Sequence, residues 1–106
     1  MPIYMDGELI WVDATSAFTL DYEVSILAVH LQHVMLLLDG GYEQSNTGLF
    51  MPCGDVFQDG STVMYRINQF GANMLIMNYK DTELVMPVTS ELRAQLSLLI
   101  GALSNE

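Results

Sequence analysis

From Asp21 to Leu38 the chain repeats apolar residues at helical spacing on more than one side, and this constrains the fold more than any other feature. Val24, Leu27, Leu31, Val34, Met35 and Leu38 form one stripe at i, i+3, i+4 spacing. Ile26, Val29, Leu36 and Leu37 lie off that stripe, where a surface helix would be polar. A helix that is apolar on most sides is buried on most sides. In a small domain its second side packs on a copy of itself or on a partner. The expected homodimer interface is therefore Ile26, Val29, His30, His33 and Leu37. Thr19 or Asp21 is placed to cap the helix start, and Asp21 and Glu23 suit the positive end of its dipole. Asp39-Gly40-Gly41 ends it, with glycine supplying a left-handed cap.

The remaining segments read mainly as strands. Asp6-Gly7 between Tyr4-Met5 and Glu8–Val12 predicts a β-hairpin over residues 2 to 13, because a type I′ turn needs positive φ at both central positions. Thr15 to Thr19 reads as a linker. Tyr42 to Gly60 is irregular, with a short strand at Leu49-Phe50-Met51 followed by an exposed loop. Thr62 to Asn68 alternates, with Val63, Tyr65 and Ile67 on one face, and Gln69 to Asn73 is a turn. Met74–Tyr79 and Thr82–Val88 form a second hairpin whose last strand carries Pro87 and so sits at an edge. Thr89-Ser90-Glu91 caps a final helix with Leu92, Leu96, Leu99 and Leu103 on one face. Tyr4-x-Asp6-x-Glu8-Leu9-Ile10 echoes Tyr79-x-Asp81-x-Glu83-Leu84-Val85, which reads as two acidic turns that converged on one chemistry.

The expected fold is α+β. A small antiparallel sheet of two hairpins plus one or two further strands holds one long, largely buried helix, with a second helix at the C-terminal end. Residues 1 to 106 make one acidic domain.

Charge restricts the partners. No lysine or arginine precedes Arg66, while the first 65 residues carry nine acids, and the whole chain has a net charge of −10. Such a surface repels nucleic acid and anionic membranes and attracts basic protein. The apolar fraction of 51% against 15% charged residues excludes an acidic disordered tail and leaves little polar surface for a lone small domain. Cys53 is the only cysteine, so no intrachain disulfide forms. The N-terminal residues lack the pattern of a signal peptide and the longest apolar run falls far short of a span, which together give a cytoplasmic expectation.

No motif identifies a chemistry. His30 and His33 stand at i, i+3 with Glu23 two turns earlier, a spacing that could begin a metal site but lacks further ligands in sequence. Cys53 is formally a nucleophile candidate with no signature around it. Asp55-x-x-x-Asp59-Gly60 lacks most of the ligands of a calcium loop. No cofactor or metal is implied. Met64, Met74, Met77 and Met86 fall in the strands, where they serve either a plastic core or an adaptable binding face.

The leading expectation is a non-catalytic acidic protein-binding module of the inhibitor, immunity, antagonist or chaperone type. It docks a basic partner through Asp6, Glu8, Asp13, Asp55 and Asp59, with Trp11 and Phe57 as aromatic anchors. The alternatives are a small enzyme or metal- or ligand-binding domain using His30, His33 or Cys53, and a structural subunit of a larger assembly.

Overall fold

The computed structural model describes residues 1–40, 53–68 and 73–105. The architecture is α+β: among the described residues, seven strands in two antiparallel sheets, and two helices. Strands β1 (Pro2–Met5), β2 (Glu8–Val12) and β3 (Ala17–Leu20) form the first sheet in that order. Helix α1 (Val24–Leu38) comes next. Strands β4 (Cys53–Val56), β5 (Thr62–Asn68), β6 (Met74–Tyr79) and β7 (Thr82–Pro87) form the second sheet, and α2 (Ser90–Ser104) closes the chain.

The first hairpin turns at Asp6 (φ 54°) and Gly7 (φ 81°), the two positive angles that a type I′ turn requires. The second turns at Lys80-Asp81, with Lys80 at φ 53°. Asp6 is thus the first turn residue of its hairpin and Asp81 the second of its own. The sequence echo is displaced by one residue against the structure, and only the first turn carries two positive angles.

Three expectations about the chain on either side of the long helix are corrected. Thr15–Thr19 is not a plain linker, because Ala17–Leu20 forms β3, pairing Phe18 with Trp11 and Leu20 with Leu9. The short alternation of Phe18 and Leu20 with exposed neighbours is all the signal that such a strand leaves. Helix α1 starts at Val24 rather than near Asp21, since residues 21–23 carry the chain from β3 into the helix. Its N-cap is Glu23, whose side chain makes no cap hydrogen bond, so neither Thr19 nor Asp21 caps it. The exposed loop expected before Gly60 is in part a strand, since Cys53–Val56 pairs with Thr62–Tyr65. The expected strand at Leu49-Phe50-Met51 and the turn at 69–72 lie outside the described residues.

The core lies between the inner sheet faces and the helices. Leu9, Trp11, Leu20, Leu27, Leu31, Val34, Val63, Leu75, Met77, Leu84 and Leu96 have no exposure. Each such side chain contributes about 2 kcal/mol on burial. Helix α1 packs on β5, and α2 lies along α1 and against β1. The α2 stripe Leu92, Leu96, Leu99 and Leu103 is buried, and Thr89 Oγ1 accepts from the Leu92 N–H to start that helix. Gly40 (φ 75°) ends α1, where Arg93 of α2 pairs with Asp39 and donates to the Leu38 carbonyl at 2.7 Å. A cation thus satisfies the negative end of α1 and ties the two helices together.

Candidate functional site

Two places bring together the residues that could act on something outside the chain. The first lies where α1 crosses the end of the second sheet. Asp55 sits on β4 opposite Val63, two residues from the Cys53–Tyr65 pair. Its Oδ2 accepts from the Tyr65 hydroxyl at 2.7 Å and contacts His30 Nδ1 at 2.8 Å. Its Oδ1 contacts His33 Nδ1 at 2.6 Å. On the far side of the ring, the Trp11 indole N–H donates to His30 Nε2 at 3.0 Å. An indole nitrogen only donates, so His30 Nε2 carries no proton and Nδ1–H points at Asp55. Trp11 and Tyr65 meet the His30 ring edge-on at 5.9 and 5.8 Å between centroids. Burial pushes the Asp55 carboxyl up, but the hydrogen bonds from His30, Tyr65 and His33 outweigh it and hold the group below its ordinary value.

This arrangement settles what the two histidines have in common. Both bind Asp55, neither pairs with Glu23, and they differ in access: His30 is 1% exposed and His33 47%. His30 cannot act as a base toward solvent, because both ring nitrogens are occupied. His33 is exposed, and its ring is held through Nδ1 by Asp55. Among the described residues no group of three His, Cys, Asp or Glu is arranged to hold a metal ion. Cys53 opens β4, and its side chain lies outside the described residues. Beside this network an open groove of about 330 Å³ runs between Ser25, Ile26 and Val29 of α1 and Asp55, Val56 and Phe57.

The second place is one end of the molecule. In the first sheet, β1 runs toward the Asp6-Gly7 turn and β3 runs the same way, since Leu20 pairs with Leu9. Asp21 therefore emerges from β3 beside Glu8. In the second sheet, the β4–β5 and β6–β7 turns open at a single end, because Val56 pairs with Thr62 and Tyr79 with Thr82. Contacts between the sheets show that these ends coincide. Phe18 packs on Tyr79 at 5.1 Å, and Tyr22 stacks on Phe57 at 4.1 Å. The Tyr22 hydroxyl donates to Asp59 at 3.0 Å. Asp6, Glu8, Asp21, Glu23, Asp59, Asp81 and Glu83 thus gather at or next to one set of turns, all exposed except the half-buried Glu8. Among the described residues Lys80 is the only cation there, lying over the Tyr79 ring at 5.1 Å. Backbone donation from Ser61, with the Tyr22 hydroxyl, holds the Asp59 carboxyl below its ordinary value despite desolvation.

The expected binding residues separate accordingly. Asp6, Glu8 and Asp59 share the acidic end. Asp13 lies at the opposite end and is engaged by backbone, accepting from the N–H groups of Thr15, Ser16 and Val85 at 2.8, 2.7 and 2.9 Å. It links the β2–β3 turn to the free edge of β7, and the Val85 and Thr15 donors lower its pKa. Asp55 faces His30 and His33. Trp11 is 0% and Phe57 6% exposed, so both aromatic anchors belong to the core. Of the expected dimer residues, His30 and Leu37 are buried within their own chain, Ile26 is half-buried, and Val29 and His33 are exposed. Leu36 and Val56, at 56% and 76% exposure, are apolar surface that the sequence pattern did not assign to an interface. Met77 and Met86 are core, whereas Met64 is exposed and Met74 half-buried.

Comparison with protein-family models, with curated proteins and with solved structures finds no match to this chain. No helix among the described residues is long and apolar enough to cross a membrane.

Proposed function

We propose that this chain is a non-catalytic acidic protein-binding module that docks a basic protein, in the manner of an inhibitor, immunity protein, antagonist or chaperone. The observation that supports this reading is the gathering of Asp6, Glu8, Asp21, Glu23, Asp59, Asp81 and Glu83 at one end against Lys80 alone among the described cations. Charges of one sign concentrated on one end attract a basic surface over about a Debye length and orient it before contact. Arg93 is engaged by Asp39, and Arg66 lies mid-strand opposite Ile76, so neither offsets that field. Nucleic acid and anionic membrane are repelled by the same field. A cytoplasmic location goes with this reading, as does the absence of a disulfide-forming cysteine pair in the sequence.

The test is capture from host lysate on the immobilised protein, eluted by a salt gradient. The expected result is a basic protein retained at low salt, released as salt rises, and no longer retained when Asp6, Asp81 and Glu83 are changed to lysine. Equal retention by the charge-reversed protein removes the reading.

Self-association belongs to the same proposal. Helix α1 carries no charged residue, and its exposed Val29 lines one groove with Val56 of the edge strand β4, while Leu36 is exposed two turns further along the helix. On a chain of net charge −10, two copies meet at least cost through a face whose one acid, Asp55, is already engaged by His30, His33 and Tyr65.

A further inference from the structure

The outer face of the first sheet is apolar, and no described element packs on it. Register fixes its members. Pro2, Trp11 and Phe18 align on the inner face, as do Tyr4, Leu9 and Leu20. The alternate residues therefore face outward: Ile3 beside Ile10 and Thr19, Met5 beside Glu8, and Val12 beside Ala17. Ile3 is 37% and Met5 55% exposed, Ile10 and Val12 are half-buried, and all four stand outside the core cluster. Alternation in a sheet solvated on one side ordinarily places polar residues there, and this face offers only Glu8 and Thr19. Its acids lie at one end: Glu8 within the face, Asp6 in the adjoining turn and Asp21 just past β3.

We infer that this face is the docking platform for a short basic amphipathic segment of the partner. The inference rests on the acidic-module reading and adds to it the surface and the chemistry of what binds. Three strands of four to five residues span about 10 by 15 Å, the footprint of about two to three helical turns. An apolar side of such a segment covers Ile3, Met5, Ile10 and Val12, while lysine or arginine at one end meets Asp6, Glu8 and Asp21. Charge selects this occupant. A second copy would bring like carboxylates together, and an anionic lipid surface would meet them too. The unbranched Met5 side chain adapts to differing apolar shapes.

The experiment is methyl and amide NMR of the full chain, titrated with three synthetic probes: an amphipathic Leu/Lys peptide of about 14 residues, polylysine of equal charge, and a Leu/Glu peptide of the same pattern. The Leu/Lys peptide is expected to move the methyls of Ile3, Met5, Ile10 and Val12. Polylysine is expected to move only amides around Asp6, Glu8 and Asp21, and the Leu/Glu peptide nothing. The paired change Met5→Ser and Ile10→Thr, checked for unchanged melting, is expected to weaken the Leu/Lys peptide about tenfold and polylysine little. Leu/Lys binding that leaves those methyls unmoved overturns the platform and leaves the acidic end standing. So does methyl movement that grows with protein concentration alone, which marks a second copy as the occupant. Failure of both the Leu/Lys peptide and polylysine to bind overturns the platform and the acidic reading together.

Discussion

The Trp11 indole N–H donates to His30 Nε2 at 3.0 Å, and this single bond fixes the histidine's tautomer and turns its other nitrogen to Asp55. A strand of the first sheet, the long helix and the second sheet are joined through one imidazole.

Trp11→Phe keeps most of the buried volume but leaves His30 Nε2 without its donor. A loss of about 2 kcal/mol is expected in urea unfolding, the usual cost of a buried acceptor left unsatisfied. In the unchanged protein, long-range nitrogen–proton NMR correlations should show His30 protonated at Nδ1 alone. Protonation at Nε2 alone would refute the arrangement.

Asp55 links stability to pH. Its folded carboxyl titrates below its unfolded value of about 3.9, so the folded state binds fewer protons there and is stabilised once the pH is above that value. That contribution is lost as the pH falls through the folded pKa. Asp13 and Asp59 act in the same direction. Asp55→Asn should cost about 3 kcal/mol at neutral pH, because an amide nitrogen replaces one acceptor among three donors. Its unfolding free energy should also fall less steeply with acid below about pH 4 than that of the unchanged chain.

Charge reversal at Asp6, Asp81 and Glu83 should slow association with the captured basic partner by about tenfold or more at low salt, and by little at high salt. Stopped-flow binding across ionic strengths measures this. A rate that salt does not alter in either protein contradicts electrostatic steering.

Light scattering at micromolar concentration should find a dimer that Val29→Asp with Val56→Asp converts to monomer. Both positions are exposed, at 46% and 76%, so the folded chain tolerates the change. A monomeric parent protein rules out the α1–β4 face as a self-contact.

Two glycines should respond with opposite sign. A Cβ at Gly54 would lie 2.8 Å from the Val63 carbonyl oxygen and 2.6 Å from Met64 Sδ, so backbone must shift. Gly54→Ala should cost about 1–2 kcal/mol. Gly101 lies inside α2 with open space around its Cβ position, and Gly101→Ala should add about 0.5–1 kcal/mol. Thermal melts of the two variants decide the matter.

Local patterns decided much of this molecule. Asp6-Gly7 carried its turn because few residue pairs accept two positive φ angles, and Thr89 carried its cap because its hydroxyl needs only the N–H three residues on. The apolar stripes of α1 and α2 came from helical period, and the alternation of Thr62–Asn68 from strand period. Strand β3 was hidden because four residues give too short an alternation to stand out. The acidic excess was plain in the sequence, but its gathering at one end depended on three hairpin turns and the β3–α1 connection facing the same way, which only strand register sets. The roles of Trp11, Phe57, Asp55 and His30 were likewise beyond sequence. His30 lies 19 residues from Trp11 and 25 from Asp55, and hydrogen bonds across such separations leave no local period to read. An aspartate in a glycine-bounded stretch and a tryptophan in a hairpin look alike whether they face water or a buried histidine. Packing around a buried imidazole decided which.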